Sequence, residues 1–263
     1  MIKKSFLNDY TGSMMDLTDK DAVLFVEKGP VAEHMLSLQK KENYRKDIKI
    51  LNPRCGKLCE KECTDLINKS VNENYGKYPV YFTYIFQFDK DSEYKLVPFG
   101  IIYKVLKKGG EFKPGFDPGS VMHIDTGIVT KDKDILDLIS AYRDRMGWYY
   151  LSVNDLKKAD GCYEKLYDSA NVEYINDAAM FFLKTGRFDT ALKYLDKAVS
   201  IQPDYYLTYY NKAVVYDYKG NKKEALDNYI IFFNKCASDP HLKVYLDAAL
   251  KRIKELETEL NNG

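Results

Sequence analysis

Apolar residues recur every three or four positions between residues 172 and 236, and this period predicts amphipathic helices. The stretch "NDAAMFFLKTG" predicts one helix that ends at Gly186, with Phe182 on its apolar face. The stretch "FDTALKYLDKAVSI" predicts a second helix, with Leu195 on its apolar face and Pro203 just beyond its end. We therefore expect an antiparallel helical hairpin with a glycine turn.

The same pattern returns 34 residues further along the chain. Glycine would make the turn in both copies because it adopts a positive φ without strain. Small residues would let the paired helices approach closely, and large residues would fill the layer between copies. The corresponding pairs are Gly186 and Gly220, Ala191 and Ala225, Phe182 and Tyr216, and Leu195 and Tyr229.

This period and these residue types resemble the tetratricopeptide repeat (TPR). The resemblance covers residues of about 138 to 260, including a less regular earlier unit with Ala159, Tyr163 and Leu166 at suitable spacings. It implies an all-α solenoid of stacked helix pairs, for which three units are usually the minimum. The N-terminal part of the chain resembles no family that we recognise.

Members of this family bind peptides or helices of other proteins in a groove lined by the first helix of each pair. The resemblance therefore implies a protein-protein interaction module or adaptor with a protein or peptide partner. Carried over position by position, the groove residues are Asn176, Met180, Lys184, Tyr210, Val214, Asp217 and Tyr218. Met180 and Val214 stand where some members carry polar groups that bind a carboxylate, which favours a mixed apolar and aromatic contact. The alternative is that the tyrosines only complete the packing.

After Pro240, apolar residues alternate four and three positions apart, as in a heptad repeat. These residues are Leu242, Leu246, Ala249, Ile253, Leu256 and Leu260. A helix that caps the last repeat is the favoured interpretation, because solenoids need such a cap. A coiled-coil homodimer is the alternative.

The front of the chain lacks the repeat and contains two runs rich in β-branched and aromatic residues, "PVYFTYIFQF" and "YKLVPFGIIYKVL". The polar stretch between them predicts a turn, so we expect the two runs to pair as an antiparallel hairpin, with Pro98 at an edge or bulge. A helix is predicted over 29–42 and a Gly- and Pro-rich loop over 109–120. The predicted fold class is therefore α+β: a mixed α/β domain over 1–130, followed by an all-α TPR-like solenoid over 131–263.

Composition excludes several classes of protein. Apolar residues make up 45% of the 263 residues, which is enough for a packed core. The chain has 40 basic and 39 acidic residues, so we expect no general nucleic-acid binding. No apolar run is long enough for a membrane span, and the N-terminus lacks the apolar core of a secretory signal. Five cysteines do not form a disulfide scaffold in a chain of this length, so we expect a cytoplasmic protein.

The motif "NPRCGKLCEKEC" places Cys55, Cys59 and Cys63 four residues apart. It resembles a short piece of the iron–sulfur segment in the small subunit of glutamate synthase, so an iron–sulfur cluster or zinc ion at these cysteines, with His34 as a further ligand, is an alternative function. An unbroken helix would separate the outer two by about 12 Å, too far to share one zinc ion. The plainer interpretation is a buried apolar stripe that includes Leu66, without a cofactor, and a reactive thiol at Cys55 is a third alternative.

Enzyme activity in the N-terminal domain is a further alternative. Asp125, Thr126 and Gly127 resemble one half of an aspartic-protease site, which needs two such aspartates. His123 lies beside Asp125, but neighbouring residues on a strand point to opposite faces. We therefore assign no catalytic residue and expect a binding protein rather than an enzyme.

Overall fold

The apolar runs at the front of the chain form a five-stranded mixed sheet. The computed structural model describes residues 2–27, 29–53, 60–122, 124, 126–127, 130–236 and 242–261. The strands are β1 (Val23–Phe25), β2 (Lys49–Leu51), β3 (Val80–Phe82), β4 (Tyr94–Phe99) and β5 (Ile102–Lys107). Their order across the sheet is β2-β1-β3-β5-β4. β1 is parallel to β2 and β3, whereas β5 is antiparallel to β3 and β4.

The two apolar runs pair antiparallel through β3 and β5, but the hairpin of the sheet is not the predicted one. Both strands of the hairpin, β4 and β5, come from the second apolar run, because the chain turns at Gly100, whose φ is 64°. The first run supplies only the short β3, which is parallel to β1 on one side and pairs with β5 on the other. β4 is the edge strand and contains Pro98, as the sequence predicts.

Helices pack on this sheet and on each other. Ile67 and Val71 of one helix lie in a buried cluster with Phe25 and Phe82, whose rings stack with centroids 4.5 Å apart. The helix predicted over 29–42 is present, with proline in its first turn. The helices of this part are α1 (Ile2–Asp16), α2 (Pro30–Glu42), α3 (Glu60–Asn74), α4 (Pro118–Val121) and α5 (Lys133–Ser152).

The chain divides into two compact units, Met1–Ala159 and Asp160–Gly263, whereas the sequence places the boundary near residue 130. The difference arises from α5, which was expected to begin an irregular repeat. α5 instead packs against β4, and the Arg145 guanidinium donates a 3.1 Å hydrogen bond to the carbonyl of Ile101. The first unit therefore keeps α5 as part of its own core.

The second unit consists of helices in antiparallel pairs. α7 packs against α8 and α9 against α10, and α10 also packs against α11. Gly186 and Gly220 make the turns with φ of 74° and 85°, as predicted. The elements are α6 (Leu156–Glu164), which spans the boundary between the units, a 3-10 helix (Lys165–Asp168), α7 (Val172–Lys184), α8 (Phe188–Ile201), α9 (Tyr206–Lys219), α10 (Lys222–Cys236) and α11 (Lys243–Asn261).

α11 covers the last helical pair. Ala249, Ile253 and Leu256 of α11 are buried in one cluster with Ala225 and Phe232 of α10. The apolar seam of the C-terminal segment is therefore used as a cap within the chain, although its last leucine remains exposed. Within the described ranges, none of the helices combines the length and apolar character that a bilayer span requires.

Candidate partner-binding surface

Most of the predicted groove residues form matched positions on α7 and α9, the first helices of the two pairs, which lie side by side. Successive positions on each helix are four residues apart and therefore face the same side. The matched pairs, from the first to the third level along the helices, are Asn176 and Tyr210, Met180 and Val214, and Lys184 and Tyr218.

Asn176 at the first level is used within the protein. Its side chain is only 4% exposed, and its amide group donates hydrogen bonds to the Val172 carbonyl (2.8 Å) and the Thr208 hydroxyl (2.9 Å). Its side-chain oxygen accepts a 2.9 Å hydrogen bond from the Asn211 amide. Asn176 therefore ties α7 to α9, and its amide is fully occupied in this role.

Tyr210, the other first-level residue, packs among aromatic rings. Its ring centroid lies 5.1 Å from that of Phe232, 5.8 Å from that of Tyr229 and 5.2 Å from that of Tyr245 on α11. Burial and, to a lesser degree, the nearby Tyr245 raise the pKa of Tyr210. The ring is half-buried, so only part of it is accessible to another molecule.

Asp217 on α9 is bound to α11. Its two carboxylate oxygens accept hydrogen bonds of 2.6 and 2.8 Å from the guanidinium of Arg252. The same guanidinium donates to Glu255 (3.0 Å) and Glu259 (2.9 Å). The hydrogen bond from Arg252 to Asp217 is the largest of the effects that raise the pKa of this arginine. A bidentate pair of this kind fixes the orientation of both side chains.

The residues at the second and third levels of α7 and α9 stay accessible to solvent. Tyr218 is 73% exposed, Lys184 is exposed, and Met180 and Val214 are half-buried. We call these four residues the open surface. It combines two apolar side chains with a lysine and a tyrosine ring.

An acidic pair that the sequence analysis missed lies at the first level of α7. Asp177 is solvent-exposed, yet desolvation and the neighbouring Glu173 carboxylate raise its pKa to about 6, while Lys184 opposes the shift. Burial and the same two carboxylates raise the pKa of Tyr205 to about 12. The four-residue spacing of the acids was visible in the sequence, but their proximity to Tyr205 depends on the tertiary fold.

The cysteine motif is described only at its last member, since Cys55 and Cys59 lie outside the described residues. Cys63 is half-buried against the core of the sheet and is disulfide-bonded, so its sulfur is not a thiolate ligand in this structure. Leu66 is 43% exposed and is not part of a buried stripe, because it lies on the side of α3 that faces solvent.

Among the described residues, the remaining candidate ligand, His34, belongs to no metal site. The Nε2 atom of His34 lies 2.5 Å from the side-chain oxygen of Asn8. In the part of the chain that the structure describes, no three His, Cys, Asp or Glu side chains are grouped in a way that could hold a metal ion. His123 and Asp125, the acid–base candidates, lie outside the described residues.

Comparison with known proteins confirms the predicted repeat. Residues 172–205, which contain α7 and α8, match the model of the tetratricopeptide repeat. Two similar solved structures are MamA of AMB-1 (15% identity, 49% of this chain and 83% of that chain covered, TM-score 0.36) and MamA of MSR-1 (16%, 49% and 85%, TM-score 0.33). No curated protein sequence matches the chain.

Proposed function

We propose that this chain, which contains a tetratricopeptide repeat at residues 172–205, is a protein-interaction module or adaptor that docks a peptide or helix of a partner protein on α7 and α9. The observation that carries the proposal is the open surface. Its four side chains lie at matched positions of two neighbouring first helices, and two of them, Lys184 and Tyr218, are exposed.

Contacts within the chain restrict the proposed docking site to the second and third levels of the predicted groove. The side-chain amide of Asn176 is occupied by the hydrogen bonds that join α7 to α9, and Asp217 is bound by Arg252 of α11. A partner would have to break these contacts to use either group, and an unpaired buried amide costs about 1–3 kcal/mol. We therefore place the partner against the open surface and leave these two residues out of it.

The open surface suits a partner with an apolar anchor next to an aromatic or acidic group. Met180 and Val214 offer half-buried apolar contact, and the flexible methionine adapts to different shapes. The Tyr218 ring adds a large contact area with a polar tip, and the Lys184 ammonium provides a positive charge. These side chains support the binding of a protein partner, and we propose no cofactor for the repeats.

Peptide selection followed by affinity measurement tests the proposal. Peptides would be selected from a displayed library against the full chain, and their dissociation constants would then be measured with the double variant Lys184→Ala and Tyr218→Ala. We expect at least tenfold weaker binding, because the two most exposed side chains of the open surface, a positive charge and an aromatic ring, are removed.

The matched control is Ile230→Ala on α10, a second helix, where the side chain is 37% exposed. This variant should bind the selected peptides as the wild type does. Selected peptides that bind the double variant with unchanged affinity would show that the open surface is not the docking site.

Two further expectations belong to this proposal. We place the module in the cytoplasm because five cysteines in a chain of this length do not amount to a disulfide scaffold, although Cys63 is itself disulfide-bonded. α11 also has exposed apolar residues, which include Val244 at 80% exposure. A homodimer formed through these residues is the alternative to a monomeric module. Sedimentation at several protein concentrations distinguishes a monomer from such a dimer.

A further inference from the structure

A recess of about 630 Å³ lies within the first unit, between the Gly- and Pro-rich loop and the C-terminal part of α5. Small-molecule sites in proteins usually have volumes of about 300–1,000 Å³ and combine apolar walls with a few polar groups. We call it the aromatic recess; its lining includes Phe112, Phe116, Asp117, Tyr149, Tyr150 and Lys158.

The walls of the aromatic recess are held by one buried ring. Phe99 of β4 is 3% exposed, and its ring centroid lies 5.2 Å from that of Phe112, 5.4 Å from that of Phe116 and 6.3 Å from that of Tyr149. Phe116 nevertheless leaves 44% of its surface exposed. The recess therefore presents a fixed apolar wall with an aromatic ring open to solvent.

The polar side of the recess is organised around Asp117. Its Oδ1 atom accepts hydrogen bonds from the Gly119 amide (3.0 Å) and the Tyr150 hydroxyl (3.2 Å), and its Oδ2 atom accepts one from the Lys158 ammonium (2.7 Å). Burial would raise the pKa of Asp117, but these hydrogen bonds outweigh it and hold the pKa below the usual value. The carboxyl is therefore ionised at neutral pH.

Gly119 permits this arrangement. A Cβ atom at position 119 would lie only 2.4 Å from the hydroxyl oxygen of Tyr150. Only a residue without a side chain lets the Tyr150 hydroxyl approach Asp117 so closely. The polar side of the recess is thus built into the backbone as well as the side chains.

The lining of the recess carries two aspartates and two lysines, and both aspartates pair with the same lysine. Lys158 lies 2.7 Å from Asp117 and 3.6 Å from Asp155, so one ammonium is shared by two carboxylates. Lys113, which also lines the recess, pairs with Glu111 at 3.7 Å. An anionic ligand would compete with two carboxylates for Lys158, whereas a cationic ligand could pair with the same two carboxylates.

Lys158 also marks where a cation would lie. Its ammonium stands 5.1 Å from the centroid of the Tyr150 ring, within the distance of a cation–π interaction. The Lys158 side chain is 50% exposed and its stem is flexible, so the ammonium can move away from the Tyr150 ring. The chain's own lysine therefore occupies a position that suits the positive group of another molecule.

We propose that the aromatic recess binds a guanidinium or alkylammonium group on an apolar stem, which takes the place of the Lys158 ammonium beside Asp117 and over Tyr150. The stem lies against Phe112 and Phe116. The source of the group is either the side chain of another protein or a free small amine, and both share this chemistry. The site lies in the first unit and is independent of the docking site proposed on α7 and α9.

Calorimetric titration of the full chain tests the proposal with N-acetyl-arginine amide as the probe and N-acetyl-citrulline amide as its neutral isostere. The arginine compound should bind at least tenfold more tightly, because only its head group is charged. Equal affinities would overturn the proposal, since binding would then not depend on the positive charge.

Three variants locate the bound probe. Phe116→Ala should weaken binding at least threefold, because it removes the exposed wall without touching a hydrogen bond. Lys158→Gln should tighten binding several-fold, because it removes the competing ammonium; weaker binding in this variant would overturn the proposal. Lys157→Gln, an exposed neighbour on the same helix that does not line the recess, is the matched control and should leave the affinity unchanged.

An acetyl-Gly-Arg-Gly amide tripeptide distinguishes the two sources. Tighter binding than the single amino-acid amide identifies a protein side chain as the natural occupant, because the flanking peptide then fits the recess mouth. Weaker binding identifies a free amine. Both results require that the probe binds in the recess, which the Phe116 variant establishes.

Discussion

The two helical pairs of the second unit share one frame of 34 residues but fill it differently. In the first pair, Phe182 and Ala198 are fully buried. In the second pair, the equivalent residues are Tyr216, which is half-buried, and Phe232, which is fully buried. The second pair thus carries a large ring where the first carries a methyl group.

The larger residue changes what the pair needs around it. The Phe232 ring packs 5.1 Å from Tyr210 and 6.4 Å from Tyr206, and the same buried cluster includes Leu256 of α11. The repeat frame therefore fixes where the helices lie, whereas the residue in the layer sets what packs there: the Phe232 ring lies in the buried cluster that α11 completes.

The largest expected effect tests this dependence directly. Phe232→Ala should lower the free energy of unfolding by about 3–5 kcal/mol, because it leaves a cavity between α9, α10 and α11. Chemical denaturation followed by circular dichroism measures the loss. Ile231→Ala, next to it and 38% exposed, should cost less than about 1 kcal/mol. Similar losses in both variants would show that Phe232 does not organise this layer.

A second variant tests the contact between the two pairs. Asn176→Ala should cost about 1–3 kcal/mol, since it leaves the Asn211 amide and the Thr208 hydroxyl without their partner. The control is Asn228→Ala on α10, whose amide bonds only a carbonyl of its own helix at the surface. If Asn176→Ala destabilises no more than this control, the buried amide does not tie the two pairs together.

The smallest effect concerns pH. The pKa of Asp177 is raised from its ordinary value to about 6, so the folded protein binds this proton more tightly than the unfolded chain does. The stability that the protonated carboxyl provides is present below about pH 4 and is lost as the pH rises through about 6. Asp177→Asn should therefore match the wild type in melting temperature at pH 4 and exceed it at pH 7.

The exposed position of Asp177 makes this difference small, because solvent screens the carboxyl. Glu173→Gln sharpens the test: removal of the neighbouring carboxylate should lower the pKa of Asp177 and move the change in stability to lower pH. A constant difference in melting temperature between Asp177→Asn and the wild type across this range would contradict the expected pH dependence.

Sequence reasoning succeeded where neighbours in the chain are neighbours in space. The period of apolar residues predicted α7 and α8, and Gly186 and Gly220 marked both turns. It did not predict the parallel pairing of β3 with β1, which lies more than fifty residues earlier in the chain. Strand pairing depends on which distant segments meet, and local alternation contains no information about that choice.

The residues of the candidate site also divide into those whose exposure the sequence predicted and those that it did not. The repeat frame located Lys184 and Tyr218, which the structure leaves exposed. It also selected Asn176 and Asp217, but the partners of these two, on α9 and α11, lie between 32 and 35 residues away along the chain.

The sequence by itself determined the helical pairs, their turns and the family of the repeat, because helix period and glycine turns act over a few residues. Only the tertiary structure decided which groove residues stay open, how α11 covers the last pair, and that a Gly- and Pro-rich loop and α5 enclose an aromatic recess. These features depend on contacts between segments that are far apart in the sequence. Such contacts stabilise the chain only after the long loops between the segments have closed.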